Sequence, residues 1–350
     1  MQAKLVPFKQ VLEQRSRKLD QLARSVGNTT LFELWPGFFP NEVRVFAKAE
    51  YTNPTGSHYD RIYNHLFGVH LTELLTDRSD LLVEVSSGNA AASFVWFCRQ
   101  LEFPCAVILP RGLPGGVLDL IGQLNPEAEV YYAENYDEYV SGAVAKLHTY
   151  MQNAERRKLR VHVLNHSRDA ETLNGTRGIA EETVKQLKSA FGISDLHFYI
   201  AACGNGSTIV GPGRVFSESY RNLRVVGFEP EEAPVVRSYL EHGVYQPALG
   251  GLRHCLFGTG VWGVRFPFLH DPNYGLRDLL RSSDDVILID GKRKQDIRTL
   301  AARTGGQYGF TSLAAMALAH EFAQNPTNNG ANILILLYDR GAKYDGFEIF

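Results

Sequence analysis

The sequence predicts an α/β protein of two domains, each built on a mostly parallel sheet flanked by helices, with a ligand cleft between them. Three observations lead there. From residue 81 onward short apolar runs alternate with amphipathic segments, the pattern of repeated βαβ units. A chain of 350 residues, at roughly 100 to 200 residues per domain, makes about two domains. Hydrophobic residues at 44% and charged ones at 21% are the proportions of an ordinary globular protein with a sizeable core.

Taken in order, Phe8, Val11, Leu12, Leu19, Leu22, Ala23 and Val26 recur at helical spacing with Lys9, Glu13, Arg17 and Asp20 between them, and Gly27 ends that helix. Residues 43–51 read as a strand. Pro54 and Gly56 then enforce a turn, and Ser57 or Asp60 starts the next helix. Strands are expected at 81–85, 105–109 and 129–133, alternating with helices at 90–101, 117–124 and 137–151. A second series places strands at 159–164, 196–202, 223–228, 285–290 and 332–338, with helices at 178–191, 295–303 and 312–324. There is no internal repeat, and 325–330 is a polar loop.

Charge and composition narrow the partners. The balance of 36 Lys and Arg against 38 Asp and Glu leaves a net charge of -2, which offers nothing broad to nucleic acid or an anionic membrane. Small-molecule ligands are therefore expected. Cys98, Cys105, Cys203 and Cys255 lack the close pairing of zinc sites, so no metal is expected and the thiols read as buried and reduced. No apolar run approaches a membrane span, and the start Met1-Gln2-Ala3-Lys4 has no signal-peptide core, so a cytoplasmic protein is expected.

Two turns carry the chemistry that residue types alone suggest. Glu84-Val85-Ser86-Ser87-Gly88-Asn89 closes a strand and opens a helix, where backbone N–H groups face an anion, although Ser and Asn there also serve as plain helix caps. Gly204-Asn205-Gly206-Ser207-Thr208 does the same after the strand at 196–202. Glycine lets its backbone approach closely, and N–H groups with the two hydroxyls can surround a phosphate. This turn matches neither the Walker nor the dinucleotide spacing.

The loop Asn53-Pro54-Thr55-Gly56-Ser57-His58-Tyr59 resembles the lysine loop of fold type II pyridoxal-phosphate (PLP) enzymes, the family of cysteine synthase, cystathionine β-synthase and threonine dehydratase. That family reads Asn-Pro-Thr-Gly-Ser, any residue, then the Schiff-base lysine, so Tyr59 stands at the lysine position. A phenol forms no imine with an aldehyde. The resemblance extends from residue 26 to 344. Residues 26–34 are similar to the entry segment Ile-Gly-Asn-Thr-Pro-Leu-Val, with Thr30 at the proline. Ser86, Ser87, Gly88 and Asn89 match the segment that grips the substrate carboxylate, in which the asparagine touches the cofactor's ring hydroxyl. Ala90 replaces a carboxylate-binding threonine. Gly204 to Thr208 is similar to the phosphate loop Gly-Thr-Gly-Gly-Thr, Val225 to Pro230 to the strand ending Glu-Pro, and 254–260, with Gly258, to a segment passing close to the cofactor. Gly309 to Ala314 resembles a Gly-Ser-Ser-Gly-Ala helix start with Leu313 at a glycine, and Arg340 falls at a serine that bonds the pyridine nitrogen.

The resemblance implies a larger domain of residues 1–59 and 156–350, a smaller one of 60–155, a homodimer, and an amino acid or phosphorylated metabolite as ligand. It implies PLP, held noncovalently given Tyr59, or another phosphorylated ligand in its place. Cofactor contacts would be Asn89, Gly204, Asn205, Gly206, Ser207, Thr208, Gly258 and Arg340, and substrate contacts Thr55, Ser86, Ser87 and Gly88. Tyr59 and His58 are the candidate acid and base, with Arg340, His58 or Arg61 able to lower the phenol's pKa, and Lys48 reads as structural. A bulky residue at Gly206 is expected to weaken phosphate binding while leaving the fold intact. Three readings follow: a divergent lyase or synthase acting at the β-carbon of an amino acid, a pocket reassigned to another phosphate or carboxylate ligand, and an inactive paralogue serving as metabolite sensor or partner subunit. A ligand-handling enzyme is preferred, because an inactive protein need not keep both turns.

Overall fold

Two sheets organise the described residues of the computed structural model, namely 8–76, 81–86, 88–134, 139–245, 254–261 and 263–347. The first part of the chain forms α1 (Phe8–Ala23), β1 (Leu31–Glu33), β2 (Arg44–Lys48) and α2 (Tyr59–Thr76). There follow β3 (Leu81–Val85), α3 (Asn89–Gln100), β4 (Cys105–Leu109), α4 (Gly115–Leu124), β5 (Glu129–Tyr132), α5 (Tyr139–Arg156) and β6 (Val161–Val163). Then come α6 (Glu171–Phe191), β7 (Phe198–Ala202), α7 (Ser207–Ser219), β8 (Arg224–Pro230), α8 (Val235–His242), α9 (Pro267–His270) and α10 (Leu276–Leu279). The last part is β9 (Val286–Ile289), α11 (Gly291–Arg303), α12 (Phe310–Gln324) and β10 (Asn332–Leu336).

The six-stranded sheet has the order β1-β2-β10-β7-β8-β9, parallel except for the edge pair β1–β2. The four-stranded sheet, β5-β4-β3-β6, is parallel throughout. Central strands of such sheets are covered by helices on both faces and read as unbroken apolar runs. Ile333, Leu334, Ile335 and Leu336 on β10 and Tyr199, Ile200 and Ala201 on β7 are fully buried for that reason. A second core gathers Leu82 and Val107 with Phe94 and Phe97 of α3 and Ile62, Leu66 and Phe67 of α2.

Two expected boundaries move. The strand 161–163, expected in the larger domain, pairs with β3, because α5 returns the chain to the free edge of the smaller sheet. Leu19 and Leu22 of α1, also assigned to the larger domain, bury their side chains in the core of α2 and α3, which completes their apolar stripe. The helix expected at 178–191 begins seven residues earlier, at Glu171. Gly175 within it is a packing point: a Cβ there would lie 3.0 Å from Ile62 Cα, where α6 crosses α2. The short helix α8 was not expected from the sequence.

A buried ionic network seats the loop that precedes α2. Lys48 Nζ donates to Thr29 O (2.7 Å), Glu182 Oε2 (2.8 Å) and Gln186 Oε1 (2.9 Å), which uses all three of its protons. Arg61 bridges Glu50 (2.8 Å) and Glu182 (2.7 Å). Burial alone would raise the Glu182 carboxyl, yet Arg61 and Lys48 bring it down to about 2. Lys48 is thus spent on structure.

Candidate functional site

The loop 53–60 is held rigidly by its own side chains. Asn53 accepts from Gly27 N (2.8 Å) and donates to the Glu50 carbonyl (2.9 Å) and carboxylate (3.0 Å). Thr55 N and its hydroxyl donate to the two oxygens of Asp60 (2.7 and 2.5 Å), and Ser93 donates to the same carboxylate (2.5 Å). With Asp60 anchored, His58 and Tyr59 at the head of α2 face the opposite element. Their rings lie 4.2 Å apart, and His58 meets Tyr338 edge-on at 5.4 Å. Burial pulls the His58 pKa down to about 4, so the imidazole is neutral near pH 7. Behind Tyr59 stands His166, edge-on at 5.4 Å.

Across from them begins α7. Gly206 precedes it with φ +97°, a conformation that L side chains rarely adopt. Asn205 Oδ1 accepts from Ser207 N (3.0 Å) and its hydroxyl (2.8 Å), which fixes the amide and leaves Nδ2 without a partner. Thr208 follows in the first turn of the helix.

The third wall comes from the turn after β10. Asn89 Nδ2 donates to Asp339 Oδ2 (2.6 Å), Tyr344 donates to the same oxygen, and Lys343 Nζ donates to Asn89 Oδ1 (2.7 Å) and Gly56 O (3.1 Å). Burial raises the Asp339 carboxyl and lowers the Lys343 ammonium. Tyr338 accepts the Ala202 N–H (2.8 Å).

These elements border a cleft cavity of about 50 Å³. Of the residues expected from the sequence, His58, Tyr59, Asn89, Gly204, Asn205, Ser207, Thr208 and Gly258 line it. Gly206 lies behind the wall against Phe268 and Leu269. Thr55 is occupied by Asp60, and Ser86 accepts from Gly88 N (3.0 Å) and Ala91 N (2.9 Å), so it caps α3. Neither these two nor Gly88 borders the cavity, and Ser87 lies outside the described residues.

Arg340 does not border the cavity either. Its backbone is extended (φ -90°, ψ 146°), so its side chain leaves on the side opposite Asp339 and lies over the Tyr51 ring at 5.7 Å, in an open groove of about 470 Å³. Arg61 is held by Glu50 and Glu182. Ala202, Phe257, Thr259, Thr311, Tyr338, Asp339 and Tyr344 complete the lining; none was singled out as a site residue, although Phe257 and Thr259 lie in the segment 254–260 expected near it. Asp339 and Tyr338 lie one and two places before Arg340, the residue of the terminal turn singled out from the sequence.

A PLP molecule meets this cavity at one end only. The turn before α7 offers an amide and helix N–H groups to a phosphate. No lysine stands among the described lining residues, Asn89 is already bonded on both its amide atoms, and 50 Å³ is far below the roughly 300–1,000 Å³ of small-molecule sites. The residues present therefore do not fit the cofactor in this arrangement.

Comparison with known proteins sets this site in a family. A family model described as pyridoxal-phosphate dependent enzyme matches residues 22–339. A cysteine synthase of Staphylococcus aureus is 24% identical over 329 residues, 94% of this chain and 96% of that enzyme. Among solved structures, a hydrogen sulfide-producing enzyme of Fusobacterium nucleatum superposes with a TM-score of 0.74 at 20% identity, over 92% of this chain and 98% of that one. An O-acetylserine dependent cystathionine β-synthase of Helicobacter pylori does so with a TM-score of 0.74 at 22% identity, over 94% and 98%. At such identities the structures establish a common fold, that of the fold type II enzymes. No helix among the described residues is long and apolar enough to cross a membrane. With its matching family model spanning nearly the whole chain and the architecture in agreement, the chain belongs to the pyridoxal-phosphate dependent enzyme family.

Proposed function

We propose that this family member has given up the lysine-anchored cofactor and binds a phosphate- or carboxylate-bearing ligand noncovalently in the same cleft. One observation carries the reading: the Gly204–Thr208 turn that opens α7 borders the same cavity as Tyr59, while no lysine borders it among the described residues. An anion at the helix start is favoured by the helix dipole and the free Asn205 amide. His58, held neutral by burial, and the Tyr59 phenol beside it can each give or take a hydrogen bond. β-Elimination or replacement that starts from an enzyme-bound imine has no amine to begin on here.

The test is an absorbance spectrum of the purified protein with and without added PLP, followed by borohydride and peptide mapping. No absorbance band that borohydride abolishes and no PLP on any lysine is the expected result. A band that borohydride abolishes, with PLP traced to one lysine, overturns the reading.

A second reading is favoured by the bonds of Asn89 to Asp339 and Lys343, which tie two walls of the cleft together, as an inactive sensor or partner subunit would permit. Absence of turnover with bound ligand retained distinguishes it. A cytoplasmic homodimer is the proposed assembly, in line with the family resemblance and four buried free thiols, and sedimentation velocity tests the dimer.

A further inference from the structure

His166 and Ser167 sit in the turn between β6 and α6, which the chain enters through Asn165 at φ +53°, a left-handed conformation that is strained for a residue other than glycine. Ser167 Oγ lies 3.1 Å from His166 Nε2. The other ring nitrogen, Nδ1, lies 3.1 Å from Tyr63 Oη and 3.3 Å from Glu84 Oε2. His166 and Glu84 are buried and Tyr63 is fully so, whereas Ser167 is half-buried. A hydroxyl, an imidazole and a carboxylate are thus bonded in series, and none of them takes part in the anion binding proposed above.

The hydrogen bonds fix where the protons are. Glu84 accepts on Oε2 from Tyr63 Oη (3.0 Å) and His166 N (3.2 Å) and on Oε1 from Val85 N (2.9 Å), so every printed bond finds it an acceptor. Tyr63 spends its proton on Glu84 and turns a lone pair toward Nδ1. Both groups facing Nδ1 therefore accept, which puts the imidazole proton there and leaves Nε2 to accept from the Ser167 hydroxyl. The rings of Tyr59, edge-on at 5.4 Å, and Tyr63, at 5.8 Å, pack against the imidazole and hold it in place. A serine whose proton points at an imidazole nitrogen, with the ring itself oriented by a carboxylate, is equipped as a nucleophile.

We propose that Ser167 and His166 form a second reactive centre that cleaves carboxylic esters, with Glu84 and Tyr63 as positioning residues. Ser167 Oγ attacks the acyl carbon: the Oγ–C bond forms, the bond to the alkoxide breaks, and the Oγ proton passes through His166 Nε2 to the departing oxygen, which leaves as an alcohol. Water then gives a proton to Nε2 and adds to the acyl carbon. The Oγ–C bond breaks, the proton returns to Oγ, and the carboxylic acid departs. An ester suits the centre because its alkoxide leaves far more readily than the nitrogen of an amide. Nothing in this chemistry depends on what occupies the cleft cavity.

Reaction of the full-length protein with a fluorophosphonate, followed by peptide mapping, tests it, together with hydrolysis of p-nitrophenyl acetate. The phosphonyl group is expected on Ser167. Ser167→Ala, which removes one half-buried hydroxyl, is expected to abolish the label and to lower kcat/KM for the ester at least tenfold, and His166→Gln to do the same, with circular dichroism unchanged. Glu84→Gln is expected to move the acid limb of the kcat/KM profile to lower pH, because the imidazolium loses its carboxylate; a carboxylate that only packs would lower the rate without moving the limb. No label, a label on another residue alone, or hydrolysis no faster than in Ser167→Ala overturns the centre and leaves the anion-binding reading of the cleft untouched. An acid limb that stays in place in Glu84→Gln overturns the role of Glu84.

Discussion

Asn89 at the head of α3 and Asp339 just past β10 are separated by 250 residues in sequence and 2.6 Å in space. The bond joins an element flanking the smaller sheet to the terminal turn of the larger one, and Lys343 doubles it by donating to the same amide. Asn89→Ala leaves Asp339 with one donor fewer and Lys343 with Gly56 alone, both buried. We expect a loss of about 1–3 kcal/mol in urea denaturation. Lys343→Met combined with Asn89→Ala should be less than additive; strict additivity would mean that the two side chains are not coupled.

A lysine placed at position 59 should not by itself create a covalent attachment for PLP. In Tyr59→Lys the rings of His58 and Tyr338, together with the Asn89–Asp339 bond, still border the space where a pyridine ring would go. We expect no imine absorbance on addition of PLP. Appearance of that band in the folded variant would show that the walls part easily.

Gly206 is a structural requirement as well as a neighbour of the site, which corrects the expectation that a larger residue there spares the fold. At φ +97° an L side chain is strained, and its Cβ would come 2.7 Å from Leu269 Cδ2. Gly206→Ala should cost about 1–3 kcal/mol in addition to any loss of ligand. Thermal denaturation without ligand measures this, and an unchanged midpoint would return the residue to a purely ligand-facing role.

Acid should destabilise the protein through its buried histidines. His58 and His254 are each lowered by burial to about 4, against about 6.5 when unfolded, so the unfolded chain binds more protons between those values. Their contribution is complete above pH 6.5 and is lost as the pH falls toward 4. Partly opposing them, burial holds Glu229 at about 8, which lowers stability as the pH rises from about 4.5 to 8. In His58→Phe the acid-side loss should shrink by roughly 2 kcal/mol, read from denaturation at pH 7 and pH 4.5. An unchanged pH slope would show that His58 does not titrate with unfolding.

The sequence by itself determined most of the strands and the two turns. Unbroken apolar runs such as Leu81–Val85 and Cys105–Leu109 are strands because both faces are covered, and a period of two is not needed to see them. It also determined that Tyr59 cannot attach an aldehyde, since that follows from a phenol's chemistry alone. What the tertiary structure decided is direction. Ser86 and Thr55 carry the right hydroxyls for a carboxylate, but helix capping and Asp60 take them first. Arg340 and Asp339 are neighbours in the chain, and an extended backbone sends one over Tyr51 and the other into the cavity. No local pattern records which side of a turn will meet a residue 250 positions away, because that contact is made by the packing of two sheets.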